Sequence, residues 1–303
     1  MSAHPSQFIF QPERVAQNRD RAADLFFEHA FLQRHLSTQF LERLEDVSRH
    51  FDLVLDYGAH TGLFSKELAA SSQTSDIVSV EMSSRMAALG SADGVKMATT
   101  EFERLPFANA TFDLVASLST LHWVNDLPQT LLALRQLLKP DGLFMAGLFG
   151  GGTLAELRSA LMSAESEIRG GISPRVSPLL RLQDAAMLLQ RTGFALPVAD
   201  IQTVTVRYSH PMKVLMDLKG MGQQAAFARH AGQARYGLSR RLLHRMCDVY
   251  QEQFSDPDGK VRATYEVIWL SGWAPAPGQP QPLQPGSATH SLAEAIRGAG
   301  DKK

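Results

Sequence analysis

Cysteine is almost absent from the sequence, since Cys247 is the only one among 303 residues. An internal disulfide is therefore excluded, and so is a zinc site built on several thiolates. The segment around this residue, LHRMCDVY, has the pattern of a helix, and we expect a buried thiol that serves packing. A chain without disulfides is suited to a reducing compartment.

An excess of charge of one sign and long apolar runs are also lacking. The chain carries 30 Lys and Arg against 31 Asp and Glu, a net charge of −1. A broad basic surface for nucleic acid or membrane is therefore not expected. No run reaches transmembrane length, and MSAHPSQFIFQPER resembles neither a signal peptide nor a convincing transit peptide. We expect no nucleic-acid partner, no integral membrane segment and a cytoplasmic location.

A histidine-based metal site is not indicated either. The usual non-haem iron site needs two histidines and a carboxylate that face one metal. The ten histidines are scattered along the chain, and no cluster of them indicates such a triad. We therefore predict no metal site.

Short apolar runs recur in the first half of the chain and alternate with helix-like segments. Four of them lie at residues 53–55, 77–80, 114–117 and 143–148. Continuous apolar strands that alternate with amphipathic helices predict a parallel sheet covered on both faces, which is an α/β fold. The composition, 44% hydrophobic and 20% charged, is ordinary for a globular enzyme.

The pattern changes after residue 152. Helices are predicted at 153–168 and 181–192 around the loop GGISPRVSP, and strands at 201–208 and 263–273. A stretch rich in Pro, Gln and Gly then predicts a flexible tail. We divide the chain into an N-terminal helical segment (1–50), a ligand-binding core (51–150), a helical lid or substrate region with the last two strands (151–273), and the tail (274–303).

The stretch LVLDYGAHTGLFSKEL has the pattern of a strand, a glycine loop and a helix. Open α/β sheets bind ligands at the carboxyl ends of their strands, and Gly58 and Gly62 permit close approach beside a helix N-terminus. The dinucleotide pattern G-x-G-x-x-G is not met, because His60 and Leu63 occupy two of its glycine positions. What remains, from Asp56 onward, is acid-x-Gly-x-x-x-Gly, and a plain tight turn is the alternative interpretation.

This remaining pattern resembles the first motif of the class I S-adenosylmethionine-dependent methyltransferases. LPFANATFDLVASLSTLHWV is similar to the run into their fourth strand. The resemblance implies S-adenosyl-L-methionine as the cofactor. It also implies a Rossmann-like seven-stranded methyltransferase sheet with helices on both faces, an N-terminal helical extension and a helical lid insertion. The cofactor-binding residues predicted on this basis are Asp56, Gly58, His60, Gly62, Glu81, Met82, Glu101, Phe102 and Ser117.

The same resemblance assigns roles to several of these residues. Glu81, at the end of the second strand, is placed to accept the ribose hydroxyls, although a solvated strand-end charge is an alternative. Glu101 is placed to accept from the adenine amino group, with the backbone of Phe102 reaching the ring, and Glu103 competes with Glu101 for this role. His60 stands where the family motif has glycine. Its side chain either contacts the cofactor or points to solvent.

A more specific resemblance extends beyond the cofactor half. GGGTLAELR, GGISPRVSP, MKVLMDLKGMG and PGSATHSLAEAI are similar to the methyltransferase-fold assembly factor of respiratory complex I and its bacterial relatives. This family implies hydroxylation of an arginine in the iron–sulfur subunit of complex I near the quinone site, with that subunit as partner. Methyl transfer to a protein or small acceptor stays open. So do a small-molecule O- or C-methyltransferase, similar to the malonyl-thioester enzyme of biotin synthesis, and a non-catalytic cofactor-binding chaperone.

Candidate catalytic and substrate residues follow the fourth strand and the glycine-rich segment. Methyl transfer needs mainly positioning and a dry cleft, for which His122 is a candidate base and Trp123 a candidate wall. Both also fit a packing role. Carboxylates match the planar donors of a guanidinium, so Glu156 and Glu165 are candidate substrate ligands, with Arg169 beside the hinge-like glycine pair. A solvated helix surface is the alternative.

Overall fold

The structure is a computed structural model that describes residues 8–228 and 238–280. The motif PGSATHSLAEAI and most of the predicted tail at 274–303 lie outside the described residues. Within the described ranges, no helix has both the length and the apolarity that a membrane crossing requires.

Seven strands form one sheet at the centre of the described chain. They are β1 Phe51–Tyr57, β2 Thr74–Glu81, β3 Met97–Thr99, β4 Phe112–Leu118, β5 Leu138–Phe149, β6 Ala195–Tyr208 and β7 Val261–Trp273. Their order is β3-β2-β1-β4-β5-β7-β6. β1 to β5 pair in parallel, whereas β7 runs antiparallel to both β5 and β6. The predicted Rossmann-like seven-stranded sheet is confirmed, and the expected parallel pairing holds for five strands.

Helices cover both faces of this sheet. They are α1 Pro12–Ala22, α2 Phe26–His29, α3 Phe31–Glu45, α4 Leu63–Ala70, α5 Ser84–Ala92, α6 Leu127–Leu137, α7 Ala155–Arg169, α8 Leu182–Arg191, α9 Pro211–Gly220 and α10 Arg240–Phe254. Val54 and Leu55, neighbours on β1, lie in different hydrophobic clusters. Successive strand residues point to opposite faces, so both faces must be apolar to be buried. This explains the continuous apolar runs of the sequence.

The N-terminal helical segment divides into two parts with different surroundings. α3 contributes Leu36 and Phe40 to the cluster on one face of the sheet. α1 packs against α5 and α9. Because the chain turns between α1 and α3, the long helical pattern of the sequence becomes three helices. The turn brings α1 to the β2 end of the sheet, where the candidate site begins.

Candidate functional site

The loop after β1 has an unusual backbone. Gly58 and Gly62 have φ values of +83° and +78°, and His60 between them has +52°. This left-handed region is open to glycine and strained for other residues. A Cβ added to Gly58 would lie 2.2 Å from Oγ1 of Thr120, so the loop and the segment after β4 are in close contact.

Asp56 lies beneath this loop and is buried. Its Oδ2 accepts a hydrogen bond from the hydroxyl of Ser65 on α4 at 2.6 Å. Burial raises the pKa of Asp56 to about 7, against the opposing effect of the Ser65 hydrogen bond. Asp56 therefore ties β1 to α4 from the inside of the fold.

Glu81 at the end of β2 is fully buried, so the interpretation as a solvated charge is wrong. Its Oε2 accepts from Nη1 of Arg19 at 2.6 Å and from the backbone N–H of His60 at 2.9 Å. Its Oε1 accepts from the backbone N–H groups of Met82 and Ser83, each at 2.9 Å. The carboxylate that was predicted to hold a ribose is thus bound by four donors of the chain itself.

The His60 side chain is also buried, which contradicts the alternative that it points to solvent. Its ring stacks on Phe26 of α2, with centroids 5.2 Å apart and planes 14° apart. Burial, and next the charge of Arg19, hold the pKa of His60 well below its usual value. The imidazole is therefore neutral, and its Nε2 has no hydrogen-bond partner in the described part of the chain.

Of the two residues predicted to bind adenine, Glu101 and Phe102, only Phe102 is buried at this site. Phe102 is buried, its carbonyl accepts from the Tyr57 hydroxyl at 2.9 Å, and the guanidinium carbon of Arg19 lies 5.0 Å from its ring centroid. The side chain of Glu101 is instead 68% exposed and lies 3.5 Å from Arg104. The structure therefore brings Phe102, but not the Glu101 carboxylate, into contact with Arg19.

The segment after β4 completes this edge of the sheet. The hydroxyl of Ser117 donates to the carbonyl of Tyr57 at 2.8 Å. The hydroxyl of Thr120 lies 3.1 Å from the carbonyl of Gly58, to which it donates, and accepts from Nη2 of Arg19 at 3.1 Å. The carboxyl ends of β1 and β4 thus lie side by side, and Arg19 contacts Thr120 at this point.

His122 and Trp123 share a partner that the sequence did not indicate. Oε1 of Gln223 accepts from the indole N–H of Trp123 at 2.7 Å and lies 3.1 Å from Nε2 of His122. Both rings are buried, and the His122 ring also contacts Phe149 at a centroid distance of 4.9 Å. The packing and the catalytic interpretations of these two residues are both compatible with this position.

A cavity of about 1040 Å³ opens beside these two rings. Its lining is mostly apolar, and the described residues of that lining include no Asp or Glu. Among the described residues, the cationic side chains that border it are Arg14, Arg175 and Lys219. Representative apolar lining residues are Trp123, Phe149, Leu157, Leu161, Leu215 and Met221. The cavity therefore suits an apolar body, with positive charge at its border.

The candidate substrate carboxylates bind the protein itself. Glu165 is buried and accepts from Arg169 at 2.8 Å and from Arg175 at 2.6 Å, and the backbone and hydroxyl of Ser173 add two further hydrogen bonds. Although burial acts to raise it, these donors lower the pKa of Glu165 to about 2. Glu156 accepts from the hydroxyl and backbone of Thr264. Glu165 thus anchors the loop GGISPRVSP to α7.

We expect Glu165→Gln to lower the free energy of unfolding by about 1–3 kcal/mol at neutral pH, because it removes the charge that Arg169 and Arg175 contact. Because the folded-state pKa is lowered from 4.5 to about 2, this contribution is complete above pH 4.5 and is lost as the pH falls towards 2. Denaturant titration of wild type and variant across this range measures it. Glu167→Gln, at an exposed acid two residues on, is the control, and an equal loss in both variants would contradict the anchoring role.

Three residues of this site had no recognisable signal in the sequence. Arg19 lies in a helix 62 residues before its partner Glu81, and Gln223 lies 101 residues after His122. Thr120 stands within the motif SLSTLHW, yet its contact with Gly58 depends on the approach of two strands. Within residues 8–228 and 238–280, no group of three or more His, Cys, Asp or Glu side chains is arranged to hold a metal.

A family model described as "Methyltransferase domain" matches residues 55–146. This range begins in β1 and ends in β5, so it contains the glycine loop, Glu81 and Thr120. Arginine-hydroxylase NDUFAF5, mitochondrial, of Danio rerio is 34% identical over 299 residues, which cover 97% of this chain and 91% of that protein. The chain belongs to the NDUFAF5 family of methyltransferase-fold enzymes.

Other relatives support the methyltransferase fold. The malonyl-[acyl-carrier protein] O-methyltransferase of Methylovorus sp. (strain MP688) is 34% identical over 88% of this chain and 90% of that protein. The crystal structure of the YcgJ protein from Bacillus subtilis aligns with a TM-score of 0.56 over 80% of this chain and 99% of that one. At 13% identity, that structure shows the fold alone. The predicted methyltransferase fold and the predicted enzyme class are confirmed.

The predicted cytoplasmic location is contradicted by these relatives, because the NDUFAF5 proteins of Danio rerio, Rattus norvegicus and Homo sapiens are mitochondrial. A single cysteine indicates a reducing environment, and neither it nor the net charge identifies a compartment. The prediction failed for this reason.

The groups at the strand ends fit S-adenosyl-L-methionine, the cofactor that a methyltransferase domain supports. Glu81 offers a carboxylate, the glycines at 58 and 62 adopt the left-handed backbone of a tight loop, and Phe102 offers an aromatic face. The arrangement is nevertheless closed, because Arg19 occupies Glu81 and Thr120 lies over Gly58. These residues would hold the cofactor only after Arg19 moves.

Proposed function

We propose that the protein is a S-adenosyl-L-methionine-dependent enzyme whose acceptor enters the cavity behind His122 and Trp123. The observation that carries this proposal is the continuity of one short segment. Thr120 contacts Gly58 at the cofactor edge, and His122, two residues later, lines the cavity. The segment from Thr120 to His122 would thus border both the cofactor and the acceptor. The region 151–273 supplies much of the cavity wall, which supports its role as the substrate region.

His122 is neutral and only weakly basic in this arrangement. Burial lowers its pKa to about 3, although the hydrogen bond with Gln223 opposes this shift. The ring is therefore neutral near pH 7. Since Oε1 of Gln223 is an acceptor, we assign the proton of His122 to Nε2, which leaves the lone pair on Nδ1. Nδ1 has no partner among the described residues.

The cofactor supplies an activated methyl group when it is bound, so the protein has to provide positioning, a dry cleft and, for a protonated nucleophile, a base. The buried ring of Trp123 excludes water on one side of the cavity. The His122 ring borders the cavity beside Trp123, and with a pKa of about 3 it would be only a weak base. Glu81, Phe102 and the loop at Gly58 would hold and orient the cofactor.

The first candidate acceptor is an arginine of a partner protein, the iron–sulfur subunit of complex I. It is supported by similarity to arginine hydroxylases along nearly the whole chain, well beyond the matched domain at 55–146. The segments GGGTLAELR and GGISPRVSP, which no generic cofactor site requires, border the cavity at Thr153 and Arg175.

The second candidate is a small acceptor with an apolar body and an anionic head, as in an acyl thioester that carries a carboxylate. The cavity lining favours it. A buried guanidinium needs a carboxylate partner, and the described lining offers none. Arg14 and Lys219 at its border form no ion pair with a described residue and would complement an anion. The identity to a malonyl-thioester methyltransferase adds support.

Mass analysis of the complex I iron–sulfur subunit, purified from cells with and without this protein, tests the proposal. Loss of one oxygen from an arginine in the deletion strain supports hydroxylation, and loss of a methyl group supports transfer to protein. If the subunit is unchanged, purified enzyme is incubated with labelled cofactor and a malonyl thioester. Label in a methyl ester supports the second candidate. An unchanged subunit together with an unlabelled thioester would overturn both.

A further inference from the structure

The cofactor edge of the sheet is covered by residues 9–30, which we call the N-terminal cover. At its start, the Phe10 ring packs against the Trp123 ring with centroids 5.1 Å apart. In its middle, Oδ1 of Asp20 accepts from the hydroxyl of Ser83 at 2.6 Å. At its end, Phe26 stacks on His60. The cover is thus attached at three points around the glycine loop.

Arg19 is the central contact of this cover. Its side chain and that of Glu81 are both fully buried, 2.6 Å apart at their closest atoms. Its other partners are the hydroxyl of Thr120 and the ring of Phe102. These partners belong to the three strand ends at which the methyltransferase domain would bind its cofactor. The guanidinium therefore occupies the place of the ligand.

The acceptor cavity does not replace this closed site. Its described lining includes none of Asp56, Gly58 and Glu81, so the cavity leads to His122 but stops before the glycine loop. A cofactor has no open space at Glu81 while Arg19 is there. Entry of the cofactor therefore requires the cover to move.

The contact is strong but incomplete. A buried ion pair is costly to break on one side only, because the remaining charge lacks compensation. Nε of Arg19, however, is buried with no hydrogen-bond partner in the described chain. One donor of the guanidinium is thus unsatisfied in the closed state, which lowers the cost of leaving it.

We propose that Arg19 is an exchangeable counter-ion of Glu81, so that it sets both the rate and the affinity of cofactor binding. Arg19 holds Glu81 and closes the cover when the cofactor is absent. When the cofactor binds, its ribose hydroxyls take the place of the guanidinium on Glu81 and the cover opens. This inference rests on the proposed cofactor site, and Arg19 acts on it by competition.

Stopped-flow tryptophan fluorescence with S-adenosyl-L-methionine tests the exchange in the full chain. For wild type, the observed rate should rise with cofactor concentration and then reach a plateau, because release of Arg19 is a first-order step. Arg19→Gln should raise the plateau and lower the apparent Kd by about tenfold, since the closed state no longer competes. Arg19→Lys keeps the counter-charge, and therefore the fold, but loses the second contact to Thr120. For this variant, the plateau rate and the apparent Kd should lie between those of wild type and Arg19→Gln.

Arg21→Gln, at an exposed position on the same helix, is the control and should behave as wild type. A rate that rises linearly in wild type without a plateau would overturn the exchange while leaving the cofactor site intact. Weaker binding by both Arg19 variants would overturn it as well, since Arg19 would then be a ligand rather than a competitor. Absence of any cofactor binding by wild type would instead overturn the proposed cofactor site.

Discussion

Glu81→Ala is expected to lower the free energy of unfolding by about 3–5 kcal/mol and to abolish binding of S-adenosyl-L-methionine. The substitution leaves Arg19 buried without a counter-charge. It also removes the acceptor of three backbone N–H groups, at His60, Met82 and Ser83. Urea denaturation measures the first effect, and equilibrium binding of the cofactor measures the second.

Glu101→Ala is the matched control for stability. Glu101 follows the next strand of the sheet, but its side chain is 68% exposed, so its removal should change stability by less than about 0.5 kcal/mol. If Glu81→Ala and Glu101→Ala lowered the free energy of unfolding equally, the stabilising role of the ion pair between Arg19 and Glu81 would be refuted.

Gly58→Ala is expected to destabilise the fold by about 2–4 kcal/mol and to prevent cofactor binding. Two costs combine at this position. The φ of +83° is strained for alanine, and the new Cβ would lie 2.2 Å from the Thr120 hydroxyl. Thr120 is buried and bonded to Arg19 and to the carbonyl of Gly58, so it does not move without losing those contacts.

Gly94→Ala separates the two costs. Gly94 has a similar φ of +86°, but a Cβ added there meets no described atom within 4 Å. This variant should therefore show the backbone strain alone, about 1 kcal/mol, and should bind the cofactor normally. Chemical denaturation of both variants gives the difference. If Gly58→Ala and Gly94→Ala were destabilised equally, the close approach of Thr120 to Gly58 would not contribute to the cost of the substitution.

The strands of the core could be predicted because each is buried on two faces and so reads as a continuous apolar run. β3 was missed, since three residues, Met97–Thr99, carry too little pattern. The positions of Asp56, Gly58 and Glu81 followed from the same logic. Parallel strands end at one edge of the sheet, so residues at their carboxyl ends converge there.

The contacts of those residues could not be predicted. Glu81 is an acid at a strand end in the sequence, and only the path of α1 across the sheet edge shows that Arg19 neutralises it. His60 stands where the family motif has glycine, and its ring stacks on Phe26 of α2, a contact between residues 34 positions apart. The helical spacing of Glu156 and Glu165 did not indicate that their carboxylates would accept hydrogen bonds from Thr264 and Arg175.

The most direct test of the account is a calorimetric titration of the wild-type protein with S-adenosyl-L-methionine, run beside NAD and repeated with Glu81→Ala. The account predicts saturable heat with the adenosyl sulfonium, none with NAD, and none with either ligand for the variant. The account would be contradicted if wild type and Glu81→Ala bound S-adenosyl-L-methionine with equal affinity. It would also be contradicted if the wild-type protein bound NAD and not S-adenosyl-L-methionine.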